Sequence, residues 1–74
     1  MVRAKMVVNH VLDRGNGYGE VTMSAVTGGS DENLDFWKYT PAGTLTLSID
    51  NEAALKQFKP QQEFYVDFQP ADKE

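Results

Sequence analysis

Few side chains in this 74-residue chain could carry acid–base or covalent chemistry. There is no cysteine, so no thiolate can attack a substrate or ligate a metal. The one histidine, His10, has no acid and nucleophile at a spacing that would complete a triad. Asp31, Glu32 and Asp35 form an acidic group, but they lack the interleaved oxygen ligands and glycine of a calcium loop. Acids at a helix start are favoured by the helix dipole, so capping explains them without a metal. Gly15, Gly17 and Gly19 have the outline of a phosphate-cradling loop, yet such loops need a helix behind them, and here a strand-like run follows. These residue types predict no catalytic activity, no metal and no cofactor.

The aromatics carry a different chemistry. Phe36, Trp37 and Tyr39 fall within four residues, with Lys38 among them. Such groups are enriched in interfaces and stack on bases or on partner side chains. They lie on the longest connection of the chain, where aromatics depart from strand alternation, and binding residues collect on connections held by a rigid scaffold. The candidate binding residues are therefore Asn33, Phe36, Trp37, Lys38, Tyr39 and Thr40, with Trp37 as anchor. The competing reading puts Phe36 and Trp37 into the core, and spacing alone leaves both open. Tyr18 and Tyr65 point outward and would extend such a surface. Arg3 and Lys5 offer a small basic patch on the first strand, with plain solvated charge as the alternative.

The elements that must position these residues follow from periodicity. Residues 2 to 12 alternate, placing Val2, Ala4, Met6, Val8, His10 and Leu12 on one face, with His10 partly buried and hydrogen-bonded locally. Asn16-Gly17 is a hairpin signal, and residues 20 to 27 return with Val21, Met23 and Ala25 inward. Ser30 to Tyr39 reads as one or two helical turns or an irregular loop, since Leu34, Trp37 and Lys38 lie three and four apart. Thr40-Pro41-Ala42-Gly43 is a turn, and residues 44 to 49 alternate Thr, Leu, Thr, Leu, Ser, Ile with Leu45, Leu47 and Ile49 on the inner face. Residues 51 to 58 read as a short helix stopped by Pro60, and residues 63 to 68 as a last strand with Phe64, Val66 and Phe68 inward. The fold expected is mainly β (α+β): a small antiparallel barrel-like or curled sheet of about four strands, with a short helix before the last. An open sheet with the helix across one face is the alternative. Residues 1–68 form the one domain and 69–74 an acidic tail.

A formal net charge of −4 opposes a phosphate footprint, which needs clustered Lys and Arg, and so argues against nucleic acid as partner. No apolar run reaches the length of a membrane span or a signal-peptide core, which predicts a soluble, unexported chain.

The run ENLDFWKYTPAGTLTL, followed by NEAALKQFKP and EFYVDFQP, resembles a group of small proteins of tailed bacteriophages. Members of that group share a basic N-terminal strand, E-N-x-x-F, T-P-x-G, N-x-x-A and Y-V-D-F-x-P, so the resemblance covers most of the chain. It departs at Gln61-Gln62, where the group has a glycine-containing turn. The resemblance implies a viral origin and expression in the cytoplasm of an infected bacterium, and it brings no assigned chemistry to transfer. Joined to the aromatics, it gives a binding module that grips a host protein or a nucleotide-like ligand. A virion accessory or decoration protein is the alternative, and a small barrel for single-stranded nucleic acid a second one. A homo-oligomer is compatible with all three.

Overall fold

The computed structural model describes residues 2–72, so Met1 and the last two residues of the acidic tail, Lys73 and Glu74, lie outside the described residues. Four antiparallel strands build one sheet: β1 (Val2–Gly15), β2 (Tyr18–Ala25), β3 (Thr44–Asp50) and β4 (Glu63–Phe68). Two helices interrupt them, α1 (Asp31–Tyr39) before β3 and α2 (Glu52–Leu55) before β4. The sheet order is β3-β2-β1-β4, so β3 and β4 are its edges and it stays open. The expected mainly β fold of four antiparallel strands with a short helix before the last is the one formed, its sheet open and not closed into a barrel.

The β1–β2 hairpin turns at Asn16-Gly17, whose φ angles are 57° and 80°. Two successive positive φ values are what a two-residue hairpin of the mirror-image type demands, and Asn-Gly meets that demand cheaply. Gly19 has another reason to be glycine. A Cβ there would lie 2.6 Å from the Leu12 carbonyl oxygen and 2.8 Å from Leu55 Cδ2. Removing the side chain lets α2 seat Leu55 directly on the hairpin.

One face of the sheet holds the core. Ala4, Met6, Val8, Val21, Met23 and Leu55 are buried together, with Val11, Leu45, Ile49, Phe58, Phe64 and Val66 packed around them. Val8 and Val21 are fully buried, since they sit at the middle of the two central strands. Phe58 meets Phe64 at 5.0 Å between ring centroids, which closes the core face beside β4. The helix expected over 51–58 is shorter. After Leu55 the bonds change to the tighter three-residue spacing, Gln57 N–H to Ala54 O and Phe58 N–H to Leu55 O.

The inward set of β1 changes part-way along. The pairing with β2 shifts between Val8 and His10, so Val11 faces Val21 and His10 faces Thr22. One extra residue in a strand exchanges its faces. His10 is therefore exposed on the outer face, with no local hydrogen bond among the described residues, and Leu12 is exposed too. Unbroken alternation places both on the inner face, and the bulge moves them to the outer one. The bulge is braced from β1's other side, where Gln61 N–H donates to Val8 O and Val8 N–H to Gln62 O, each at 2.8 Å.

Candidate functional site

The segment carrying the candidate aromatics is a helix rather than a loop. Ser30, in extended conformation, caps it by accepting the Asn33 N–H on Oγ at 3.1 Å, and Asp31 and Glu32 occupy the first turn. At the other end Thr40 N–H donates to Phe36 O at 2.8 Å, and Pro41 follows. Thr40, one of the candidate binding residues, thus spends its backbone donor closing α1.

The inner side of α1 lies on the outer, polar face of the sheet, over β1 and β4. Asn33 is buried there. Its Nδ2 donates to Gly28 O and to Glu63 Oε2, both at 2.8 Å, while its Oδ1 is buried without a partner. Phe36 is half-buried, its ring centroid 6.0 Å from that of Tyr65. Asn33 and Phe36 therefore anchor the helix to the sheet.

Beneath α1 runs a line of charges. The Lys5 ammonium is 2.6 Å from Glu32 Oε1 and 3.4 Å from Glu63 Oε1, and it lies over the Tyr65 ring. Tyr65 O–H donates to the second Glu32 oxygen at 2.7 Å. Arg3 makes a two-pronged contact with Asp67, at 2.6 Å and 3.0 Å, and also stacks over Tyr65. The hydrogen bond from Lys5, then that from Tyr65, holds the Glu32 carboxyl below its ordinary range. The same Glu32 bond pushes Lys5 and Tyr65 up, Lys5 against the opposing effect of its burial. Arg3 lowers Asp67 through its hydrogen bond and is itself raised by it. Arg3 and Lys5 do come together in space, but each is matched by carboxylates. Lys5 is covered by α1, and Arg3, half-exposed beside it, is held by Asp67.

The outer side of α1 is different. Leu34, Trp37, Lys38 and Pro41 line a shallow concavity of ≈ 440 Å³. Trp37 is 45% exposed and Leu34 48%, large values for apolar side chains on one helix face. Tyr39 is 80% exposed, with the Lys38 ammonium 5.7 Å from its ring centroid. Asp31 and Asp35 flank this face and have no ion-pair partner among the described residues. The candidate set divides accordingly: Asn33, Phe36 and Thr40 hold the helix, and Trp37, Lys38 and Tyr39 are displayed. Leu34 and Pro41, absent from that set, complete the displayed surface. The signal for Leu34 was its three- and four-residue spacing to Trp37 and Lys38.

A larger concavity of ≈ 530 Å³ lies at the hairpin tip, between Val11, Asp13, Gly17 and the α2 side chains Glu52 and Leu55, with Lys59 at its edge. Its acids and lysines are of mixed sign, and they offer no convergent set of donors. Among the described residues no three His, Cys, Asp or Glu side chains stand close enough to hold a metal ion. No described helix is long and apolar enough to cross a membrane. Compared with known proteins, the chain matches no family model, no curated sequence and no solved structure.

Proposed function

We propose that this chain is a non-enzymatic binding module of a tailed bacteriophage, acting in the cytoplasm of the infected bacterium by gripping a host protein with the outer side of α1. The observation that carries this reading is the apolar concavity of Leu34, Trp37 and Pro41, exposed along the flank of a helix whose inner side is pinned to the sheet. A pinned helix loses little entropy when a partner docks, and tryptophan is enriched among the residues that anchor interfaces. Charge supports a protein over a nucleotide-like ligand. Lys38 is the one cation lining the hollow, while Asp31 and Asp35 stand beside it, an arrangement that repels phosphate and suits an apolar patch rimmed with basic groups. The same acids, with a net charge of −4, disfavour single-stranded nucleic acid.

The test compares tagged wild type with Trp37→Ala as bait in infected cells, read by quantitative mass spectrometry. Wild type should enrich a bacterial protein that Trp37→Ala retains about thirtyfold more weakly, the equivalent of about 2 kcal/mol for one hot-spot residue. Equal retention by the two baits, with the variant verified as folded, removes the proposal. Recovery of the chain in purified virions would replace it with the virion accessory reading.

A further inference from the structure

Apart from its terminal Asp50, the edge strand β3 lacks the charge, proline and bulge that keep sheet edges from pairing. From Thr44 to Ile49 it holds no charge, no proline and no bulge. The opposite edge is protected: β4 carries Glu63 and Asp67, Asp67 is tied to Arg3, and Pro70 follows two residues on. β3 also leaves apolar surface uncovered. Leu47 shares the core face with its fully buried partner Val21, yet it is 39% exposed.

The ladder shows which backbone groups are free. Ala25 N–H donates to Gly43 O at 3.0 Å, so that pair is a hydrogen-bonded one. Antiparallel pairs alternate, and the β2–β3 register runs without a shift. Met23–Leu45, Val21–Leu47 and Gly19–Ile49 are then the bonded pairs. The N–H and C=O groups of Thr44, Thr46, Ser48 and Asp50 point away from β2 into solvent.

We propose that β3 pairs antiparallel with β3 of a second copy of this chain, about a two-fold axis through Leu47. In that register Thr44 faces Asp50 of the second copy and Thr46 faces its Ser48. These residues own the outward backbone groups, so every one of those groups gains a partner. Leu47 faces its own copy and Leu45 faces Ile49, at the closer, non-bonded positions where side chains touch best. A two-fold axis normal to the sheet keeps the apolar faces on one side, so the uncovered leucine is covered by its twin. Like charges do not meet across the seam, since Asp50 lies opposite a threonine. This surface is separate from the outer side of α1 and stands whether or not α1 binds a host protein.

Sedimentation velocity on the full chain tests it. The monomer is 8.3 kDa. Wild type at about 100 μM should sediment at twice that mass, since one strand seam is smaller than a standard interface and gives micromolar affinity. Thr46→Pro removes an outward N–H while leaving the β2 ladder whole, a position where a strand tolerates proline. It should restore the monomer with an unchanged far-ultraviolet circular dichroism spectrum. Wild type that stays monomeric, or a Thr46→Pro variant that stays folded and dimeric, overturns the proposal. Two double variants test the register even if the proline variant fails to fold. Thr46→Lys with Ser48→Lys sets lysine against lysine and should give monomer. Thr46→Lys with Ser48→Glu sets lysine against glutamate and should keep the dimer. Identical masses for the two double variants overturn the register.

Discussion

The Asn33 amide donates to the Glu63 carboxylate across 2.8 Å, and that bond fastens α1 to the edge strand β4. The same nitrogen also donates to the Gly28 carbonyl, so its orientation is fixed by two acceptors and the amide oxygen is left buried without a donor.

Replacing Asn33 tests the geometry in two steps. Asn33→Ala removes both bonds and should cost about 1–3 kcal/mol, because the Gly28 carbonyl is left unpaired. Asn33→Asp is nearly the same size, yet it sets a carboxylate against Glu63 and a carbonyl oxygen. It should therefore destabilise more than alanine at pH 7. Urea titrations of the two variants at pH 7 make the comparison.

Gln61 supplies a gain. Lys59 O accepts from Gln62 N–H at 3.1 Å, with Pro60 and Gln61 between them and Gln61 at φ 74°. Proline followed by a residue of positive φ is the pattern that glycine fills best. The Gln61 side chain is exposed and makes no hydrogen bond among the described residues, whereas the Gln62 side chain accepts from Lys59 N–H at 3.2 Å. Gln61→Gly should raise stability by up to about 1 kcal/mol, the relief of left-handed strain less the added freedom of the unfolded chain. Gln62→Gly should lower it. Thermal melts of both variants distinguish the two positions.

What the sequence showed and what it hid divides along physical lines. The Asn16-Gly17 turn, the alternation of Thr44 to Ile49 and the apolar face of β2 are local patterns, and all were readable. The bulge beside Asn9 was not, because the backbone groups that brace it at Val8 belong to Gln61 and Gln62, far along the chain. His10 and Leu12 change faces at that bulge. The positive φ of Gln61 was half legible, as the place where glycine was expected and glutamine stands. On the candidate site, the inner anchors could not be told from the displayed aromatics until α1 had a sheet beneath it. Glu32 and Tyr65 meet across thirty-three positions, and no spacing rule reaches that far.

Leu47 and Met23 should separate the covered and uncovered parts of the core face. Met23 is 2% exposed at the centre of β2, so Met23→Ala should cost about 2–5 kcal/mol. Leu47, on the same face but 39% exposed, should cost less than about 1.5 kcal/mol in dilute protein, because much of its side chain is wet already. Chemical denaturation at low protein concentration reads the two. Equal costs would mean that Leu47 is covered in the monomer.

The charges beneath α1 should give stability a plateau with two shoulders. Glu32 and Asp67 have folded pKa values below their unfolded ones, so the stability they contribute is present above about pH 4 and is lost as pH falls through the folded values. Lys5 and Tyr65 are shifted the other way. Their contribution is complete below about pH 10 and is lost as pH rises through their raised folded values, when the ammonium loses its charge and the phenol its donated proton. Glu32 belongs to both shoulders, since it is the acid that Lys5 and Tyr65 share. Glu32→Gln should therefore flatten the acid limb and the alkaline limb together, whereas Asp67→Asn should flatten the acid limb and leave the alkaline one nearly unchanged. Midpoints of urea denaturation followed from pH 3 to pH 11 show this directly. An alkaline limb that survives Glu32→Gln would place its cause outside the Lys5–Glu32–Tyr65 contact.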